Sequence, residues 1–480
     1  MNDIILIYPG RNWVGSTGLN YPPNSLITIG GVLEKNGFKP NIVDARFEDY
    51  RKVDYDGALF VGISAMSGRQ IKHGLEISKF IKARHPNVPI VWGGVHPTIL
   101  PEQTLQNENV DIVVRGEGEL TALELAQRLE KGAPLDGVKG LSFKREGRII
   151  TNENRPFMNL DTAEDLAYHL LKDPKLYTPT ETFHYASSRG CPHRCAFCYN
   201  ASFCKNTWRS KSIGKIMEDI RTIIDRYHPK CIDFLEDNFF VSRERVEQIA
   251  DFLIKEGINV TWTGDIRANY FDQYDRGFLQ KIKRSGCKEV ILGAESGSPG
   301  ILKAVQKDIT VEQIEKSIKM CKESDINLVL LFVIGFPYET KQDLCMTIDL
   351  ISRIFNEYGV HSTISIFSPY PGTPLFETAK EYGFTPPTSL EDWGNWNFSN
   401  VANAPWLDSE TRDFIEAAAN SSRLMSKKVL SFSASPVIMA KNLTRAVFTY
   451  SANVRWEHKY FKHPFEWRIW TRIQKWRGYA

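Results

Sequence analysis

Along residues 1–130, short runs rich in β-branched residues alternate with stretches whose apolar residues recur every three or four positions. The runs are Ile4–Tyr8, Pro40–Val43, Ala58–Ser64, Ile90–Trp92 and Asp111–Val114, and the helical patterns between them are Ser25–Asn36, Gln70–Arg84 and Glu119–Lys131. Such alternation predicts parallel strands with helices on both faces of the sheet, a doubly wound α/β domain over residues 1–135. Residues 136–180 are turn-rich and weakly periodic, and read as a linker. A second series over 181–390 has strands at Phe183–Ser187, Cys231–Leu235, Asn259–Thr263, Glu289–Leu292, Asn327–Ile334 and Ser362–Phe367. Helical stretches Ile213–Tyr227, Arg243–Lys255, Val311–Glu323 and Lys341–Glu357 lie between them. Six β/α units are too few to close an eight-fold barrel and predict an open, partial one. Residues 391–480 read as a mainly helical C-terminal extension.

Ligands on parallel sheets sit at the carboxyl ends of the strands. In the first series those ends read Tyr8-Pro9-Gly10, Asp44-Ala45-Arg46, Ser64-Ala65-Met66, Gly93-Gly94-Val95-His96-Pro97 and Arg115-Gly116-Glu117-Gly118-Glu119. Any one of these could be plain turn chemistry. Five at one edge favour a ligand site, since glycine lets backbone approach a ligand closely.

Composition narrows the class. The chain has 480 residues, 42% hydrophobic and 24% charged, which is the balance of a globular protein of several domains. The longest apolar run, Leu328–Phe336, is far shorter than the roughly 20 residues that span a bilayer. No basic stretch precedes the apolar run at the N-terminus, so it reads as a first strand rather than a signal peptide. A secreted, membrane-spanning or disordered protein is not expected. The net charge of +3 hides an asymmetry: residues 421–480 hold twelve Lys/Arg and two acidic residues, leaving −7 on the remainder.

Three of the eight cysteines crowd into Gly190-Cys191-Pro192-His193-Arg194-Cys195-Ala196-Phe197-Cys198-Tyr199, directly after the first strand of the second series. Three thiolates on one short loop can ligate three corners of a cubane iron–sulfur cluster. A structural zinc site wants four protein ligands, and only His193 inside the loop offers a fourth. Cys204, Cys231, Cys287, Cys321 and Cys345 share no close spacing and read as small buried hydrophobes.

The Cys191, Cys195 and Cys198 spacing, with Phe197 before the third cysteine, resembles the radical S-adenosylmethionine enzymes, whose fold is a partial (β/α)6 barrel of TIM type. The resemblance implies a 4Fe-4S cluster on those cysteines, its fourth iron chelated by S-adenosylmethionine. One electron then cleaves the sulfonium to methionine and a 5′-deoxyadenosyl radical. By the same resemblance, Glu236 and Asp237 in Leu235–Phe239 would hold the methionine amino group. Glu295 and Ser296 in Gly293–Ser298 would meet the ribose, and Gly335 in Phe332–Pro337 would lie on the adenine path. Each of these acids could instead be a solvated loop carboxylate or a helix cap. Ser368–Pro374 resembles the segment that closes the sixth strand.

The N-terminal segments Tyr21–Leu26, Gly93–Thr98 with Pro101-Glu102, and Asp111–Glu119 resemble the cobalamin-binding branch of that family, over about residues 1–390. The resemblance implies a Rossmann-like cobalamin-binding domain, with Ser64, Gly93 and Gly94 as contacts to the nucleotide tail. It departs from the common DxHxxG pattern: Arg46 stands where the histidine below cobalt would be, and arginine stays protonated. His96 is read as a loop histidine or a cofactor hydrogen-bond partner rather than a cobalt ligand. The lack of a second cysteine set argues against the methylthiotransferase branch. The expected activity is radical methyl transfer to an unactivated carbon, with an electron donor such as flavodoxin or ferredoxin. The alternatives are an anaerobic oxidative cyclase or ring-rearranging enzyme on a porphyrin or lipid, and a non-catalytic cobalamin sensor.

The last residues interleave Trp456, Trp467, Trp470 and Trp476 with Arg455, Arg468, Arg472, Lys475 and Arg477. Read as a helix, Phe465, Ile469, Ile473 and Trp476 make one apolar stripe. That pattern suits an interfacial helix on anionic lipid, contact with nucleic-acid phosphates, or packing against the barrel. The expected partners are a small-molecule or lipid substrate, without nucleic acid. The expected location is cytoplasmic, with peripheral contact at the inner face of the membrane through this tail.

Overall fold

Seven strands form the first sheet: β1 Asp3–Tyr8, β2 Lys39–Asp44, β3 Phe60–Ser64, β4 Ile90–Gly93, β5 Ile112–Val114, β6 Leu141–Arg145 and β7 Arg148–Thr151. Their order is β2-β1-β3-β4-β5-β6-β7. Strands β1 to β5 pair in parallel, and β6 and β7 continue the sheet antiparallel. The structure, a computed structural model, describes residues 3–10, 21–177, 181–396, 404–425, 436–461 and Ile469. The chain divides into two compact units, the first comprising residues 1–189, 202–229 and 386–397, the second 190–201, 230–385 and 398–480.

In the first unit, β3 is buried along both faces, as expected of a parallel strand covered by helices on each side. Helices Asn24–Lys35, Arg69–Arg84 and Glu119–Glu130 fall within a residue or two of the expected patterns. Trp92 on β4 is fully buried and donates its indole N–H to Ser78 Oγ at 3.0 Å, so this large core side chain carries no unmet polar group. The 136–180 linker is corrected. Residues 141–151 are a hairpin turned at Glu146-Gly147, both with positive φ (51° and 74°), and its pairing with β5 makes the segment part of the first domain. Its strands are only five and four residues long, too short to show a clear alternation.

All six strands of the second series are present: β8 Thr182–Tyr185, then β11 Cys231–Phe234, β12 Thr261–Ile266, β13 Cys287–Glu295, β14 Asn327–Ile334 and β15 His361–Ile366. A short ladder, β9 Ser188–Arg189 with β10 Arg209–Ser210, stands between them in sequence. Five of the six lie in the second unit and pair in parallel in the order β11-β12-β13-β14-β15. Alternate residues of β14, Leu328, Leu330, Phe332 and Ile334, are buried, each contributing roughly 1.5–3 kcal/mol. The connecting helices begin where side chains satisfy their free N–H groups. Ser242 caps Arg243–Lys255, and capping boxes start Val311–Glu323 (Thr310, Gln313) and Lys341–Tyr358 (Thr340, Asp343). Gly359, at φ 66°, ends the last of these.

The C-terminal extension is not one body. Helix Leu390–Asn395 belongs to the first unit, where a Cβ on Gly394 would lie 3.0 Å from the Lys72 backbone nitrogen. Helices Ser409–Ser422 and Pro436–His458 belong to the second. There Trp456 is fully buried, donates to Ser421 Oγ at 3.1 Å, and its carbonyl accepts from Ser352 Oγ. Of the tail stripe, only Ile469 lies among the described residues; Phe465, Ile473, Trp467, Trp470 and Trp476 lie outside them. No helix among the described residues is long and apolar enough to cross a membrane.

Candidate active site

Gly190, at φ 81°, turns the chain into the cysteine loop. Two backbone bonds within the second unit clamp it: Ala196 N–H to Val305 O at 2.9 Å and Leu375 N–H to Ala196 O at 3.0 Å. Phe197 packs beside Phe336 and the core cluster of Ile301, Val305, Phe367 and Leu375. Cys198 N–H donates to Cys195 O at 3.1 Å, folding the second and third cysteines into one turn.

Polar groups from other strand ends meet the loop. Asn238 Nδ2 lies 3.7 Å from Cys191 Sγ and 3.0 Å from Tyr270 OH, which in turn bonds His193 Nε2 at 2.7 Å. His193 is thus engaged by a tyrosine. Burial pushes its pKa down to about 4, which leaves the ring neutral. Arg267 Nη1 stands 3.3 Å from Cys195 Sγ. Burial raises the Cys191 thiol and pushes Cys198 up to about 12, so both need a metal to ionise at neutral pH. No three His, Cys, Asp or Glu side chains among the described residues stand together as ligands of a metal ion. A cubane spreads its thiolates over separate irons rather than converging them on one ion, and a loop with N–H donors aimed at its sulfurs suits that arrangement.

The strand-end candidates are placed as follows. Glu236, its side chain fully buried, is paired with Arg245 at 3.2 Å from the helix it precedes. Asp237 accepts from Gly190 N–H at 3.2 Å, at the mouth of the cysteine loop; burial is the first cause of its raised pKa, although solvent reaches the residue. Glu295 ends β13 at φ 61°, with Oε1 2.6 Å from Lys307 Nζ. A Cβ on Gly293 would lie 2.5 Å from Glu295 Oε1 and 2.8 Å from Lys307 Nζ, so glycine makes room for that pair. Ser296 is buried, its hydroxyl bonded to Thr347 Oγ1 at 3.0 Å on helix Lys341–Tyr358. Gly335, at φ 88°, donates to Glu339 Oε2, and its carbonyl accepts from Trp406 Nε1 at 3.1 Å. Burial pushes the Glu339 carboxyl up to about 8. The sequence reading missed Arg267, Asn238, Tyr270, Lys307 and Glu339. Arg267, one residue past β12, and Asn238 lie at the strand ends where the other candidates were sought.

In the first unit the strand order reverses between β1 and β3, the switch point where open α/β sheets take ligands. Ser64 ends β3 there, its hydroxyl 3.3 Å from Ser25 Oγ. Gly94 has φ 97°, and a Cβ on it would lie 2.8 Å from Ala65 O, whereas Gly93 has ordinary room. His96 is fully buried, with Nδ1 2.8 Å from Ser67 Oγ and its ring edge-on to Trp393; burial pushes its pKa to about 3. Among the described residues its Nε2 has no partner, nor has Nε2 of Gln70, whose other amide atom accepts from Met66 N–H. Two buried polar atoms without partners beside a strand-end glycine fit a ligand rich in amide and phosphate groups. Arg46 is closed off by Asp44, Tyr21 O and the Tyr8 ring. Glu117 and Glu119, in the fifth strand-end cluster, are used internally: Arg189, the residue before the cysteine loop, pairs with both, and Arg209 pairs with Glu117 at 2.5 Å.

Residues 185–351 match the model of the radical SAM superfamily, and residues 11–126 match the B12 binding domain. An uncharacterised methyltransferase of Pyrococcus horikoshii is 33% identical over 394 residues, covering 78% of this chain and 83% of its own length. The chain belongs to the cobalamin-binding radical S-adenosylmethionine enzymes. An anaerobic magnesium-protoporphyrin IX monomethyl ester cyclase of Synechocystis is 27% identical, covering 79% of this chain and 77% of its own length. The structure of the cobalamin-dependent radical enzyme OxsB with aqua-cobalamin and S-adenosylmethionine superposes with a TM-score of 0.74 at 17% identity, over 100% of this chain and 75% of OxsB. In this radical S-adenosylmethionine enzyme, Cys191, Cys195 and Cys198 lie within the residues that match the radical SAM model. Ser64, Gly93, Gly94, His96 and Gln70 lie within the residues that match the B12 binding domain.

Proposed function

We propose that this enzyme methylates an unactivated carbon of a small-molecule or lipid substrate. When bound, the cluster and S-adenosylmethionine supply a 5′-deoxyadenosyl radical, and cobalamin supplies a transferable methyl group. The observation that carries the reading is the clamped cysteine loop ringed by the ends of β11, β12 and β13, on a chain that also carries a cobalamin-binding domain. Asp237, tied to Gly190, is positioned to accept from an ammonium group next to the loop. Glu295, oriented by Lys307, offers a carboxylate oxygen to ribose hydroxyls. The orphaned His96 and Gln70 nitrogens favour tight retention of cobalamin. An electron donor such as flavodoxin or ferredoxin completes the system, and the basic aromatic tail favours peripheral contact with an anionic membrane.

The test is anaerobic reconstitution with methyl-labelled S-adenosylmethionine and candidate substrates. Label in the product together with 5′-deoxyadenosine supports methyl transfer. An unlabelled product that has lost hydrogen supports the ring-forming reading, which the cyclase relative favours. Cobalamin binding without any S-adenosylmethionine cleavage would leave only the sensor.

A further inference from the structure

Arg267 follows β12 and is 5% exposed. Each arm of its guanidinium is fixed: Nη1 lies 3.3 Å from Cys195 Sγ, Nη2 donates to Lys307 O, and Nε meets Asn269 Oδ1 at 3.3 Å. Yet no carboxylate among the described residues forms an ion pair with it, whereas Arg245, equally buried, is paired with Glu236. A buried guanidinium without a carboxylate in direct contact is costly; Asp308 acts on Arg267 only at longer range, its carboxylate being held by Arg194 at 3.1 Å. The nearest group able to carry negative charge in hydrogen-bond contact with it is the Cys195 sulfur, and the neutral Asn269 amide and Lys307 carbonyl only aim the fork. The loop sulfurs are therefore not equivalent. Asn238 offers Cys191 a neutral donor at 3.7 Å, and among the described residues only Cys195 receives a charged one.

We propose that Arg267 is a positioning residue that serves as the fixed counter-charge of the Cys195 thiolate and raises the reduction potential of the cluster held on this loop. A charged N–H donor draws electron density from the thiolate and stabilises the more negative, reduced cluster over the oxidised one. The guanidinium thereby eases entry of the single electron that the external donor must deliver. The inference rests on the assignment of Cys191, Cys195 and Cys198 as cluster ligands.

The test is a potentiometric titration of the full chain, reconstituted anaerobically without substrate and read by the electron paramagnetic resonance signal of the reduced cluster. Iron and sulfide content are measured alongside. Arg267→Gln, which keeps an amide donor but loses the charge, should shift the midpoint to more negative potential. Arg267→Lys, which keeps the charge, should stay near the unsubstituted protein. Cluster uptake by the lysine variant but not the glutamine variant supports the same requirement for charge. An unmoved midpoint in Arg267→Gln overturns the inference, and so do equal shifts, or equal loss of cluster, in both variants. If the unsubstituted chain takes up no cluster, it is the assignment of the cysteines that fails.

Discussion

Arg46 grips Asp44 with two nitrogens, Nε at 2.9 and 3.1 Å and Nη2 at 2.5 Å, beneath the Tyr8 ring. Tyr177 OH donates to the same carboxylate at 2.8 Å. Burial opposes the charge on Arg46, but the bidentate pairing outweighs it and the pKa is raised. The residue at the position of the lower histidine is thus a locked cation, and His96 has its Nδ1 bonded to Ser67. Cob(II)alamin bound to this protein is expected to show no nitrogen superhyperfine splitting in its electron paramagnetic resonance spectrum. Splitting that disappears in His96→Ala would show that His96 reaches the metal after all. Arg46→Ala, by stranding a buried carboxylate, should lower stability by on the order of 3 kcal/mol in urea denaturation.

The cysteines should divide cleanly. Cys191→Ala, Cys195→Ala and Cys198→Ala are each expected to abolish 5′-deoxyadenosine formation, because two thiolates do not retain the cluster. Cys287 and Cys321 are buried, and desolvation raises both thiols, so they act as small apolar groups. Cys287→Ala and Cys321→Ala should each cost roughly 1 kcal/mol for the lost sulfur and leave cluster content unchanged. Full deoxyadenosine production by Cys195→Ala would sink the radical assignment.

Asp265, on β12, is pushed up to about 8, first by burial and then by Asp233, Asp237 and Glu236, with Lys307 opposing. An unfolded aspartate titrates near 3.9. The folded protein therefore binds this proton more tightly. The stabilisation is complete below about pH 4 and is lost as pH rises towards about 8. Asp265→Asn should match the unsubstituted chain near pH 4 and exceed it at pH 8 to 9. Urea midpoints measured across that range decide it; parallel pH profiles for the two proteins would show that Asp265 is ionised in the fold.

What could be read from the sequence follows the range of the interactions. Asn327–Ile334 was bounded correctly because an apolar run between polar turns is a local signal. Ile213–Tyr227 was too, because Ser212 caps its first turn, with Lys215 N–H as donor. The cysteine loop is legible as a candidate because its three thiols lie within eight positions of one another. The pairs Glu295 with Lys307, Arg189 with Glu117 and Arg267 with Cys195 were not, since they join residues 12 to 72 positions apart and no periodicity marks them. The contact of Ser296 with Thr347, 51 residues on, is equally invisible in the sequence.

Glu117 joins Arg189 and Arg209 and also accepts Met158 N–H at 3.1 Å, so it organises the strand that leads into the cysteine loop. Its side chain is 10% exposed. Glu117→Gln should therefore destabilise the first unit by about 3 kcal/mol. Cluster content after reconstitution should fall, because the Arg189–Gly190 entry to the loop loosens. Unchanged urea midpoints and iron content in Glu117→Gln would show that Glu119 and Asp165 hold Arg189 without it.

The described part of the tail runs to Phe461 and otherwise includes only Ile469. Up to Phe461 it packs: Trp456 is fully buried, and Phe461, 4% exposed, meets Trp456 and Phe414 edge-on at 4.9 and 5.3 Å. Trp456→Ala should accordingly cost about 3–5 kcal/mol. Beyond it, the residues that made the sequence stripe are flanked by Arg468, Arg472 and Lys475, and Ile469 is 45% exposed. Each basic residue near an anionic surface contributes about 1 kcal/mol, screened by salt. The full chain should therefore sediment with anionic liposomes at low salt and much less with neutral ones. A chain ending at Phe461 should stay in the supernatant while keeping its urea midpoint, cluster content and S-adenosylmethionine cleavage. If that shorter chain instead loses stability or cluster, the stripe continues the packing begun by Trp456, and the membrane reading falls.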